Sequence, residues 1–226
     1  MREMCYKCLR PLDSCFCKYL EPFNPGIKFV FLMHPKEAKR QRTGTGRLAH
    51  AALIDSEIIT GIDFSNNKRL CELLSDEQYY PVLLYPDENA WHSKKTGFKE
   101  EIGKKKLLAI IIESTWFCSK KMIKCNSNLL ALPKVSFSGR YSSIFTFKKE
   151  PRPECVSTIE TCYYLIQEMK EAEIINKNIN PDSLMTAFKE MIKFQLQKEN
   201  DRIAGLLPNT HANDYKYTKI KEIPNF

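Results

Sequence analysis

Four of the nine cysteines stand in the first seventeen residues, as Cys5, Cys8, Cys15 and Cys17. Their C-x2-C-x6-C-x-C spacing offers four thiolates to one tetrahedral ion, and zinc suits such a set. In a reducing compartment a tight cluster reads as a metal site before it reads as disulfides. Four thiolates leave no open position for a substrate, so the expected role is structural, the metal folding a local lobe. A second candidate is the run Glu113-Ser114-Thr115-Trp116, which follows the apolar stretch 107–112. It places a carboxylate, two hydroxyls and an indole at the end of a buried strand, where open α/β sheets bind ligands. On spacing alone, Ser114 or Thr115 capping a helix and Trp116 filling a core explain it better. A third candidate is the basic stretch 36–47. Lys36, Lys39, Arg40, Arg42 and Arg47 can hold phosphates there, and Gly44 and Gly46 allow close backbone approach to a ligand. A solvated charged loop is the competing reading. The stretch is neither a Walker A loop nor a Rossmann fingerprint. His34 is also ambiguous, since a histidine at a strand end is more often structural than catalytic.

The elements that must position these residues follow from periodicity. Strands are expected over 28–33, 57–60, 81–85 and 106–112, with short ones at 134–137 and 144–147. Helices are expected over about 45–54 and, after Trp116, through about residue 123. Another opens at Ser157, where Ser157 and Glu160 have capping-box spacing. A last amphipathic helix covers 181–198, with Met185, Phe188, Ile192 and Leu196 on one face. The lysine-rich stretch 94–106 reads as a mobile surface loop, and residues from 205 onward read as loosely structured. Strands alternating with helices give an α/β domain with a mainly parallel sheet. The chain divides into a zinc-binding lobe at 1–22, a catalytic domain at 23–204 and a tail at 205–226.

The composition fits a folded protein, with 43% hydrophobic and 27% charged residues and no apolar run near the length of a membrane span. The opening residues lack the apolar core of a secretory signal, so a cytoplasmic protein without membrane contact is expected. The net charge of +8 suits a polyanionic partner. Oligomeric state is left open.

In order and spacing these pieces resemble the DTW-domain family from Cys5 to about Met169. The resemblance rests on the cysteine pattern with Pro11, His34-Pro35-Lys36-Glu37, and Thr45-Gly46-Arg47-Leu48. It continues through Glu113-Ser114-Thr115-Trp116 with Lys120, Lys121 and Met122, then Leu132-Pro133, Lys148-Lys149-x-Pro151 and Ser157-Thr158-Ile159-Glu160. Two positions depart from the family's pattern: Glu113 stands for its aspartate, and Lys148 for its usual arginine. The resemblance implies a SPOUT-like α/β fold with a C-terminal trefoil knot. It implies S-adenosylmethionine as donor of a 3-amino-3-carboxypropyl group, 5'-methylthioadenosine as by-product, and N3 of a tRNA uridine as acceptor.

The expected roles follow from that chemistry. Glu113 accepts or orients the N3 proton, Trp116 shapes the pocket or stacks a ring, and Thr115 belongs to the same catalytic group. Leu132, Pro133, Ser157 and Thr158 form the donor pocket. Arg40, Arg42, Arg47, Lys148 and Lys149 hold tRNA phosphates. The rivals are the same transfer onto ribosomal RNA, a methyl transfer from the same donor, and a non-catalytic zinc-containing RNA-binding protein.

Overall fold

The structure, a computed structural model, describes residues 3–40, 43–145, 154–208 and 220–226, apart from the side chains of Arg40 and Trp116. The first strand, β1 (Lys28–Met33), has six residues, all buried. A strand apolar on both faces belongs inside a parallel sheet covered by helices on each side. Next come α1 (Pro35–Arg40), α2 (Gly46–Ala52), β2 (Ser56–Thr60), α3 (Lys68–Ser75), β3 (Tyr79–Leu84) and α4 (Phe98–Ile102). Then follow β4 (Lys106–Glu113), α5 (Trp116–Cys125), α6 (Ser127–Leu130), β5 (Lys134–Val135), α7 (Thr158–Glu171) and α8 (Asp182–Ile203). The strand order is β2-β1-β4-β3-β5, and every pairing is parallel. The expected α/β class and mainly parallel sheet are found.

Strand side chains alternate between two cores. Phe29, Phe31, Ala109 and Ile111 pack with Leu48 and Ala52 of α2, Ile159 and Cys162 of α7, and Leu184 and Phe188 of α8. Val30, Leu32, Leu108 and Ile110 pack with Leu70 and Leu73 of α3, Met122 of α5 and Leu129 of α6. The N-terminal residues add two short 3-10 turns, Leu12–Ser14 and Cys17–Tyr19. They have no core of their own: Phe16 and Leu20 join the α2/α7/α8 core, and the Phe16 ring meets Phe194 of α8 edge-on at 5.6 Å.

Several expectations are corrected. The stretch 94–106 contains α4, whose Phe98 and Ile102 are buried; Phe98 stacks on Trp91 at 5.2 Å. No strand forms at Ile144–Phe145, because the Ile144 amide donates to the Glu160 carboxylate at 2.8 Å instead of to a neighbouring strand. Residues 146–147 lie outside the described residues. The strand expected at 134–137 stops at Val135. Part of the stretch expected as a basic loop is α1. Helix α3, which the periodicity reading passed over, is capped by Asn67, whose side chain accepts the Leu70 amide at 2.9 Å. Helix α8 runs past residue 198 to Ile203. Residues 220–226 carry no helix or strand, yet Lys221 is held by two hydrogen bonds with the Asn200 side chain, at 2.8 and 3.0 Å. No helix among the described residues is long and apolar enough to cross a membrane.

Candidate active site

The chain leaves β1 through α1 and α2 toward β2 at one sheet edge. It leaves β4 through α5 and α6 toward β5 at the other. The carboxyl ends of β1 and β4 therefore bound the crevice where open α/β sheets bind ligands. Glu113, the last residue of β4, stands in that crevice beside Met33 and is 6% exposed. It shares its sheet face with Ala109 and Ile111, so its carboxylate points toward α2 and α7. Its carbonyl accepts the His34 amide at 3.0 Å.

Two elements close on this carboxylate. The Thr158 hydroxyl, from the first turn of α7, donates to Glu113 Oε2. Gly46, the first residue of α2, lies so close that a Cβ there would meet Glu113 Cδ at 2.7 Å and Oε2 at 2.8 Å. A side chain there would force the Glu113 carboxylate to move. The close approach expected of Gly46 is thus made to a side chain of the protein itself. The α7 end is held by the expected capping box: Glu160 accepts the Ser157 amide and hydroxyl, each at 2.7 Å. Burial, and then the negative charge of Glu113, push the Cys162 thiol of α7 well above the usual range.

Below the carboxylate lies a cavity of about 10 Å³ lined by Cys8, Arg10, Met33, Glu37, Gly44, Arg47 and Glu113.

Ser157, Thr158 and Glu113 come together as one group. Thr115 precedes α5 in extended backbone and is exposed. Trp116 opens α5. Leu132 packs in the core on the α3/α5/α6 side, away from Thr158, and the Pro133 carbonyl accepts the Leu83 amide at 2.9 Å. Arg47 lines the cavity and donates to the Ala38 carbonyl at 3.1 Å, bracing α1. The side chain of Arg40, and Arg42, Lys148 and Lys149, lie outside the described residues.

The four sulfurs of Cys5, Cys8, Cys15 and Cys17 all lie within 4.8 Å of one another. Cys5 to Cys17 is 3.9 Å and Cys8 to Cys15 is 3.7 Å. Thiolates bound about 2.3 Å from a tetrahedral zinc stand about 3.8 Å apart. Those two pairs stand at that separation, and the four sulfurs could together hold one metal ion.

Sequence reasoning missed three features. Arg10 and Glu37 line the Glu113 cavity, and only tertiary structure brings them there. Glu168 of α7 is fully buried and accepts the Ser138 amide at 2.7 Å, the Gly139 amide at 3.0 Å and the Ser93 hydroxyl at 3.0 Å. Two glutamates, Glu160 and Glu168, beside the apolar stripe of α7 were the available signal.

A profile of the DTW domain matches residues 2–196. The chain is 27% identical over 167 residues to tRNA-uridine aminocarboxypropyltransferase 2 of Drosophila melanogaster, covering 71% of this chain and 64% of that relative. It thus spans less than two thirds of the relative's length. No solved structure matches it. The profile covers most of the chain, from the four-cysteine cluster through Glu113 to α8, and on that match the chain belongs to the DTW-domain family.

Proposed function

We propose that this protein transfers the 3-amino-3-carboxypropyl group of S-adenosylmethionine to N3 of a tRNA uridine and releases 5'-methylthioadenosine. The observation that carries the reading is Glu113: a carboxylate at the sheet's switch point, oriented by the Thr158 hydroxyl and packed against Gly46. The name of the Drosophila relative gives that protein aminocarboxypropyl transfer to a tRNA uridine. Uridine N3 carries a proton and becomes a useful nucleophile once a base removes it. The donor carbon is already attached to a sulfonium, so the leaving group needs no acid. As N3 bonds to that carbon, the carbon–sulfur bond breaks, its electron pair neutralises the sulfonium, and the N3 proton passes to Glu113.

Every other contribution is alignment and exclusion of water. Thr158 fixes the direction of the carboxylate, while Ser157 and Thr158 at the start of α7 hold the donor's amino-acid part. Leu132, whose side chain packs on the other face of the sheet, and Pro133 contribute to the donor pocket through backbone groups. Thr115 and Trp116 border the uridine. Arg40, Arg42, Arg47, Lys148 and Lys149 hold tRNA phosphates, Arg47 doing so while bracing α1. Cys5, Cys8, Cys15 and Cys17 hold zinc in a structural role. The all-parallel sheet and the position of α7 support a SPOUT-like fold. A C-terminal knot belongs to that reading; the connection from β5 to α7, on which it depends, includes residues 146–153 outside the described residues. The protein acts in the cytoplasm, where its substrates are.

The test is incubation of the protein with unmodified tRNA and S-adenosylmethionine, followed by digestion to nucleosides and mass spectrometry. A uridine heavier by about 101 Da, the mass of the transferred group less the displaced hydrogen, is expected. A gain of about 14 Da would replace the transfer by methylation. Product on ribosomal RNA alone would change the acceptor. No product from folded, zinc-loaded protein would leave RNA binding without catalysis.

A further inference from the structure

We infer that Arg10 is a positioning residue that ties the four-cysteine lobe to the glycine loop packed on Glu113, so that the metal lobe helps to set the reactive carboxylate. The inference rests on the role of Glu113 proposed above. Arg10 lies two residues beyond Cys8, and its carbonyl accepts the Cys5 amide at 2.7 Å, which fixes its backbone within the lobe. Its side chain leaves the lobe and is buried, with the residue 5% exposed. One guanidinium nitrogen, Nη2, donates to the Gly44 carbonyl at 2.7 Å and lies 3.3 Å from the Met191 sulfur of α8. The guanidinium carbon stands 5.5 Å from the centre of the Phe16 ring.

Anchoring a small lobe does not require this arrangement. Phe16 and Leu20 already join it to the main core by apolar contact, and burying a guanidinium is costly unless its hydrogen bonds are well placed. What Arg10 adds is direction: a charge-assisted bond that fixes where the Gly44 carbonyl sits. Gly44 is two residues from Gly46, and Gly46 lies in contact distance of the Glu113 carboxylate with no room for a Cβ. Cys8, Arg10, Gly44 and Glu113 line one cavity. A continuous path of contacts thus runs from the thiolates through Arg10 and the glycine loop to the carboxylate. A small displacement of that loop would move the carboxylate or open the space beside it, and catalysis is sensitive to shifts of about 1 Å.

The experiment compares the zinc-loaded full chain with Arg10→Met and Arg10→Lys. Methionine fills the apolar surroundings without a donor, and lysine keeps the charge with a single point of contact. Zinc content per chain, hydrogen exchange over residues 44–50, and kcat and KM for tRNA are measured on each. Arg10→Met is expected to keep its zinc and its fold. Its 44–50 amides should exchange about tenfold faster or more, since the loop loses an anchoring bond. Its kcat should fall about tenfold or more, with KM for tRNA changed less than about threefold. Arg10→Lys should recover part of both losses. If Arg10→Met sheds zinc, Arg10→Gln decides in its place, because it keeps a polar group that ends short of Gly44. Unchanged loop exchange in a zinc-loaded variant overturns the inference, and so does a loosened loop with unchanged kcat. Loss of zinc from all three variants makes Arg10 a part of the metal lobe's own fold and also overturns it. A loosened loop in a protein whose wild type transfers nothing supports the tie through Arg10 and overturns only the proposed reaction.

Discussion

Glutamate at position 113 reaches one methylene further than the aspartate of the family pattern, and its surroundings are fitted to that length. Gly46 leaves space for a carboxylate at this distance and for nothing more, and the Thr158 hydroxyl meets Oε2 there. Glu113→Gln keeps the shape and removes the proposed base. Transfer should fall by a factor of about 10² to 10⁴, the usual contribution of a general base, while the melting temperature changes little. Steady-state kinetics beside a thermal melt reads both, and a Gln variant with wild-type turnover takes Glu113 out of the mechanism. Glu113→Asp is the sharper comparison. It restores the family's residue but withdraws the carboxylate from Thr158, so kcat should drop about tenfold here. Gly46→Ala puts a methyl where the carboxylate lies, within 2.7 Å of Cδ. The carboxylate must swing aside, and kcat should fall about tenfold or more while KM for tRNA holds, as expected of an interaction needed in the transition state. A Gly46→Ala enzyme as fast as the wild type would show that the packing is incidental.

The elements around the site are held by buried carboxylates as much as by apolar contact. Glu160 and Glu168 of α7 accept hydrogen bonds from the segment that follows β5, including the Ile144 amide and the amides of Ser138 and Gly139. Burial alone would raise the Glu168 pKa, but the Gly139, Ser93 and Ser138 donors outweigh it and hold the group below the usual 4.5. A carboxylate whose folded pKa lies below its unfolded value stabilises the fold above the unfolded value. That contribution is lost as pH falls from about 4.5 through the lower folded value. Glu168→Ala should therefore cost about 2–4 kcal/mol at neutral pH, because several buried donors lose their acceptor. Urea denaturation at pH 7 and at pH 3.5 checks it: the gap between wild type and variant should shrink at the lower pH. An equal gap at both would place the effect in packing.

The same bonds explain what was legible from sequence. β1, β4, α7 and α8 show in their apolar patterns because they bury broad faces. No strand forms at Ile144–Phe145 because a side chain, Glu160, takes the Ile144 amide. Helix α4 hides because only Phe98 and Ile102 are buried in a lysine-rich stretch. Glu113 and Thr158 were legible through the family pattern, whereas Arg10 acts on residues 34 and 181 positions away, which no local pattern reports.

At the scale of the whole molecule, the lobe and the α/β domain are one folding problem with two sources of stability. The sheet buries both faces and needs no metal. The lobe buries Phe16 and Leu20 against α2, α7 and α8, but its own chain is turns and short 3-10 segments held around four sulfurs. If the cluster holds zinc as proposed, removing it leaves four thiols in close contact with nothing to bridge them, so the lobe should open while the sheet persists. Exposing those two side chains costs about 1.5–3 kcal/mol each. At about 2–4 °C per kcal/mol for a chain of this size, a chelator should lower the melting temperature by about 10 °C. Far-UV circular dichroism should change little, since the sheet and the helices other than the 3-10 turns are retained, and transfer should fall with the opening. Restoring zinc should return both. A chelated protein with an unchanged melting temperature would mean that the lobe is held by its apolar seam alone. One that loses its far-UV signal would mean that the sheet, too, depends on the metal.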